Sequence, residues 1–305
     1  MNLRVMACTL LACAALGATG PARAQTPPRL YADSRMVVLD RISVEVVGKG
    51  PDLVLIPGLA SSRETWKATA ERLKGRYRLH LVQVAGFAGE PARANAKGDI
   101  LAPVEEAIVA YIREQKLGPA TVIGHSLGGT LLLMMAERHP DALKKGLIVD
   151  ALPFYGMAMG GPMATVASMQ AGAANARDQM IASTDEQFRA SGTRNLAGMI
   201  SDPKQREMAA GWVAASDHSV VGRATYDDLQ TDLRPDLAKI TTPMTLLYPD
   251  YTPVGAPPGA MTHMYPPAYA AAATVKPVQV EHSLHFIMFD QPAVFSQALD
   301  AFLAP

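Results

Sequence analysis

Cysteine occurs only at Cys8 and Cys13, both within the first 24 residues of a 305-residue chain. Those 24 residues carry Arg4, an apolar stretch from Val5 to Leu16, and Pro21-Ala22-Arg23-Ala24 ahead of Gln25. The pattern is that of a secretory signal peptide with an A-x-A cleavage site, so residues 1–24 are expected to be removed. A working chain that begins at Gln25 has no cysteine. Disulfides, thiol catalysis and cysteine metal sites are then excluded together. Long apolar runs are also lacking: the stretch from Val5 is broken by Gly17, Gly20 and Pro21, short of the ~20 apolar residues a membrane helix needs. Export to the periplasm or medium is therefore expected, without stable membrane insertion after cleavage. Nor is there an excess of one charge. The 28 basic and 28 acidic residues fall to 26 against 28 once Arg4 and Arg23 are gone, and Lys and Arg nowhere form a run. Nucleic acid and charged membrane surfaces are not expected partners, and oligomeric state is left open.

What is present is apolar, at 49% of residues, and about 280 residues of this kind suffice for one large α/β domain with an inserted segment. Strands are expected at Met36–Leu39, Ile42–Val47, Asp52–Pro57, Arg78–Val84, Ala120–Ile123, Gly146–Asp150, Met244–Tyr248 and Val275–Val280. Helices are expected between them, at about 63–73, 100–117, 260–273 and 292–303. That alternation predicts a mostly parallel sheet with helices on both faces, the α/β class. Residues 152–238 interrupt it. They are rich in Gly and Ala, hold seven of the sixteen methionines, and pattern as helix.

The chemistry concentrates at Gly124-His125-Ser126-Leu127-Gly128. A G-x-S-x-G string is expected by chance about 0.1 times in a chain of this length, so context decides. Here a buried strand precedes it, and Leu131, Leu132, Met135 and Ala136 recur at helical spacing behind it. A strand-to-helix turn this tight forces its central residue into a strained conformation and requires small neighbours. It also lifts Ser126 Oγ to a helix N-terminus, where backbone N–H groups favour an oxyanion.

With Pro57-Gly58-Leu59 after the third strand and His285-Phe286-Ile287-Met288-Phe289-Asp290-Gln291-Pro292 near the end, the chain resembles the α/β-hydrolase superfamily. The resemblance implies a triad in the order serine, acid, histidine, which here is Ser126, Asp250 and His285. It also implies an oxyanion hole from the Leu59 and Leu127 N–H groups, and a lid formed by residues 152–238. The acid departs from the family pattern. Relatives often carry Gly-x-x-Asp after this strand, whereas Tyr248-Pro249-Asp250-Tyr251-Thr252 puts the aspartate early and Thr252 where the acid is usual. Asp250 is the expected acid on topology, and Asp150, at the end of the preceding strand, is its rival.

His282 and His285 form a His-x-x-His pair, but no further ligand stands at metal spacing. No metal and no cofactor are expected. The reading is a serine hydrolase that cleaves carboxylic esters of small to medium apolar substrates through an acyl-enzyme. Lactone, amide and carbon–carbon bond hydrolysis use the same residues, and a non-catalytic binding protein on this fold is the alternative from another class. The methionines, with Phe154 and Tyr155, either line a plastic apolar pocket or pack between helices.

Overall fold

A computed structural model describes residues 28–304; the expected signal peptide lies outside them. Eight strands form one sheet: β1 (Arg35–Val38), β2 (Ile42–Gly48), β3 (Asp52–Ile56), β4 (Arg78–Val84), β5 (Ala120–His125), β6 (Leu143–Val149), β7 (Met244–Pro249) and β8 (Val275–Val280). Their order is β1-β2-β4-β3-β5-β6-β7-β8. β1 and β2 make an antiparallel hairpin, β2 also runs antiparallel to β4, and every later pairing is parallel.

The interior strands are buried on both faces, and the pleat sorts their side chains. Leu53 and Leu55 join a core with Trp66, Leu73, Phe295 and Leu299, on α1 (Lys67–Leu73), the turn before it, and the C-terminal helix. Val54 and Ile56 face the opposite core, with α2 (Leu101–Glu114) and α3 (Leu127–Arg138). Period-2 alternation between two apolar layers is why these strands read as continuous hydrophobic runs.

Between β6 and β7 stand α4 (Gly156–Gly160), α5 (Val166–Ala182), α6 (Asp185–Leu196), α7 (Pro203–Ala214) and α8 (His218–Gln230). The last four each begin at a side-chain cap. Thr165 accepts from Ser168 N, Thr184 from Gln187 N, Asp202 from Gln205 N and Asp217 from Val220 N. Each cap satisfies a backbone donor that the first turn leaves unpaired. Asp227 on α8 accepts from Ile100 N at 2.6 Å and Leu101 N at 3.2 Å, capping α2 and tying this helical segment to the sheet domain.

The helix expected over 260–273 does not form as one element. A single 3-10 turn at Met261–His263 precedes the short α9 (Tyr265–Ala268), and a turn follows. Pro266 and Pro267 remove two backbone donors, which a first turn tolerates and an interior does not. The chain closes with α10 (Ile287–Asp290) and α11 (Pro292–Leu303). No helix among the described residues is long and apolar enough to cross a membrane.

Candidate active site

β5 ends at His125, and α3 starts at Leu127, so Ser126 is the whole of the turn. Its φ of 53° and ψ of −123° lie outside the regions an L-residue prefers, a strain the surrounding structure must hold. Gly124 allows it: a Cβ there would sit 2.1 Å from the Gly128 carbonyl oxygen. The Leu127 N–H is at the open start of α3, and the Leu59 N–H lies in the loop after β3; neither donates to a protein acceptor among the described residues. At Gly58 a Cβ would stand 3.0 Å from Ser126 Cβ and 3.2 Å from His125 Nδ1, so glycine lets this loop close on the serine. Gly58, Leu59, Ser126 and His285 line one cavity of about 840 Å³.

The expected pairing of Asp250 with His285 is not what the structure holds. His285 Nδ1 lies 2.6 Å from Asp150 Oδ2, the rival carboxylate. Asp150 directly follows β6, the strand next to β5, and His125 pairs in register with Val149. Ser126 and Asp150 therefore leave neighbouring strands side by side. Asp150 also has a positive φ, 48°, a conformation aspartate tolerates better than most residues. Its carboxylate is 1% exposed and is satisfied by hydroxyls as well as by histidine: Tyr251 OH donates to Oδ2 at 2.9 Å, and Tyr265 OH donates to Oδ1. Burial, and then the Asp150 charge, raise the ionisation of both tyrosines well above the usual phenol range, so both remain hydrogen donors.

Asp250 does something else. It accepts from His282 N at 2.9 Å, Ser283 N at 3.3 Å, Thr252 N at 3.2 Å and Thr252 Oγ1 at 2.9 Å. Burial alone would raise its pKa, but these donors, His282 N foremost, outweigh it and hold the carboxyl below its ordinary value. Asp250 is thus a clasp that joins the end of β7 to the loop carrying His285.

His125 is buried, and its Nε2–H donates to the His285 carbonyl at 3.0 Å, leaving Nδ1 without a partner. Burial first, and the neighbouring His285 second, push its pKa well below the usual value, so it is a neutral support beneath His285. Sequence reasoning missed the two tyrosines; their only signal was a need, shared by every buried tyrosine, for a hydroxyl partner. The methionine reading divides. Met180 and Met199 line the cavity, Met157 is buried beside a separate small recess, and Met159 and Met163 are 62% and 89% exposed.

Among the described residues, one group of three side chains could converge on a metal: Glu105, Glu106 and His139. None of them lines the cavity, and the Arg138 guanidinium already stands 3.8 Å from Glu105 Oε2. His282 Nδ1 lies 3.5 Å from Thr252 Oγ1, whereas His285 Nδ1 is engaged by Asp150.

Comparison with known proteins bears on the family and the fold. A pimeloyl-[acyl-carrier protein] methyl ester esterase of Aeromonas salmonicida is 34% identical over 114 residues, which is 37% of this chain and 43% of that protein. The chain thus spans under half the length of that relative. One of the same name from Vibrio atlanticus is 27% identical over 215 residues, 68% of this chain and 79% of its own. The crystal structure of a hydrolase from Pseudomonas aeruginosa superposes with a TM-score of 0.70 at 18% identity, covering 90% of this chain and 99% of that one. Residues 53–298 match the profile described as the Alpha/beta hydrolase family. With that match over most of its length, the chain belongs to the alpha/beta hydrolase family.

Proposed function

We propose that this protein is a hydrolase that cleaves carboxylic esters through an acyl-enzyme on Ser126, with His285 as general base and Asp150 as the acid that orients it. The observation that carries the reading is the 2.6 Å contact of His285 Nδ1 with a buried carboxylate, beside a serine held in the strained turn between β5 and α3. With Nδ1 so engaged, Nε2 is the nitrogen left to take the Ser126 proton. The alkoxide attacks the acyl carbon, and the Leu59 and Leu127 N–H groups receive the developing negative charge. The imidazolium then returns its proton to the leaving alcohol. Water, activated by the same nitrogen, releases the acid. Asp150 balances the positive charge while it lasts.

The relatives from Aeromonas salmonicida and Vibrio atlanticus support an ester as the scissile bond, since both are methyl ester esterases by name. The helices between β6 and β7 act as the lid, because α5, α6, α7 and α8 all contribute walls to the cavity that holds Ser126. The protein works outside the cytoplasm, after cleavage behind Ala24. Mass spectrometry of the protein from its own cell then finds Gln25 at the N-terminus; an intact Met1 in the cytoplasm overturns export.

The test of the chemistry is a fluorophosphonate probe together with esters of graded acyl length, with lactones and amides alongside. The probe adds to Ser126, and Ser126→Ala abolishes both labelling and turnover, the latter by roughly 10⁶ if the loss matches that of other triad nucleophiles. Unchanged hydrolysis by Ser126→Ala overturns the reading.

A further inference from the structure

The cavity contains one carboxyl group that the proposed mechanism does not use. Asp228, on α8, is 8% exposed and lines the same cavity as Ser126, and its Oδ1 has no hydrogen-bond partner. Its neighbour Asp227 turns the other way and caps α2, so the aspartate pair is divided between a structural task and the cavity. Leaving a buried oxygen orphaned is costly, and a ligand that brings a donor to it relieves that cost. Burial raises the Asp228 carboxyl to about 7, against the Thr130 hydroxyl, which favours the ionised form. Thr130 itself stands close to the chemistry: its N–H donates to the Ser126 carbonyl at 3.1 Å, four residues or about 6 Å along the helix axis from the serine.

A second polar group faces the same space. Tyr155 lines the cavity, and its ionisation is suppressed by burial, then by the Asp228 and Asp150 charges, so its hydroxyl stays a donor. Asp228 offers the one carboxylate acceptor among the described lining residues and Tyr155 a donor; neutral polar groups such as Gln179, Gln187 and Asn195 share the wall with apolar ones such as Ala176, Met180 and Val221. No lysine or arginine is among the lining residues, so the cavity has no counter-charge for an anionic substrate. An ammonium group brings three donors to a single free acceptor and loses its hydration. A hydroxyl brings one donor and one acceptor, matching the pair that is present.

We propose that Asp228 and Tyr155 form a recess that receives a substrate hydroxyl a few bonds from the scissile ester, making hydroxyl-bearing short esters the preferred class. The inference rests on the serine-ester reading above and deepens it. Asp228 is here a specificity residue. It takes no part in bond cleavage.

The experiment compares esters that differ only by hydroxyl for methyl. On the acyl side these are ethyl 3-hydroxybutyrate and ethyl 3-methylbutyrate; on the alcohol side, 2-hydroxyethyl butyrate and propyl butyrate. The full chain is expected to favour the hydroxyl member of one pair by tenfold or more in kcat/KM, and the pair that responds tells which side of the ester enters the recess. Asp228→Leu loses that preference through KM while still labelling with fluorophosphonate, and Asp228→Asn, which keeps an acceptor oxygen, retains most of it. Asp228→Leu also gives up the Thr130 contact, so the labelling is what confirms that each variant holds a folded, intact Ser126 site. Equal rates on both members of both pairs, or a preference that survives Asp228→Leu, overturn the recess while leaving the serine chemistry standing. Absence of both labelling and hydrolysis in the unaltered chain overturns the ester reading, and the recess with it.

Discussion

Two adjacent strands of this sheet end in an aspartate, and the two carboxylates live in opposite surroundings. Asp150, after β6, is held by side chains: two tyrosine hydroxyls and an imidazole. Asp250, after β7, is held mainly by backbone amides and by the hydroxyl of Thr252. A carboxylate clasped by backbone donors is committed to the shape of the loop. One met by side-chain donors and a histidine can answer to charge that appears during a reaction. What separates the carboxylate proposed as the acid from the loop clasp is the identity of its donors, which strand topology alone does not reveal.

The sharpest way to break the comparison is Asp150→Asn. The amide keeps the shape but favours the wrong imidazole tautomer and removes the counter-charge, so turnover should fall by about 10⁴, as in the serine protease example of this substitution. Steady-state kinetics on a responsive ester, with a thermal melt to confirm folding, checks it; a loss under tenfold would return the acid's role to Asp250. Tyr265→Phe comes next. It strips Asp150 Oδ1 of its donor inside the core, and turnover should drop about tenfold, the worth of one hydrogen bond to a charged group, with a lowered melting temperature.

Asp250→Asn should alter rate by less than about threefold and instead cost about 1–2 kcal/mol of stability, through lost charge-assisted bonds to the His282 and Ser283 amides. The sign of its pH dependence follows from the depressed folded-state pKa. The unfolded chain binds this proton more readily, so the charge contributes stability above the unfolded value near 3.8 and loses it as pH falls through the lower folded value. Denaturation curves of parent and variant should therefore converge in acid; a gap that widens there would refute the clasp. Smallest of all, Met159→Ala should leave relative rates across acyl lengths unchanged, because that side chain is in solvent and absent from the cavity wall. A shifted chain-length profile would show that α4 reaches the substrate.

Much of the fold was legible in the sequence because each strand is a short apolar run closed by turn residues, and all eight form near their expected positions. The segment from 260 to 273 failed because its alanines suggest a helix, whereas Pro266 and Pro267 let only a short turn form around them. The serine turn was legible because strain demands glycine, and glycine shows in the text. The acid was not, since Asp150 and Asp250 both follow buried strands and sequence spacing does not encode which donors surround a carboxylate. The warning was present in Thr252, which stands where the acid is usual and turns out to donate to Asp250. Asp228 carried no signal at all; an aspartate in a helix is normally a solvated one.

The tyrosine cage around Asp150 also bears on how many hydrons move in the rate-limiting step. Both carboxylate oxygens already have donors, and both tyrosines resist ionisation. The aspartate has little basicity left to draw the Nδ1 hydron across, and the phenols have no incentive to release theirs. The imidazole then carries a single hydron in flight at Nε2. In mixtures of light and heavy water, the hydrolysis rate of such a site should vary linearly with deuterium fraction, where a relay through the carboxylate would bow the plot.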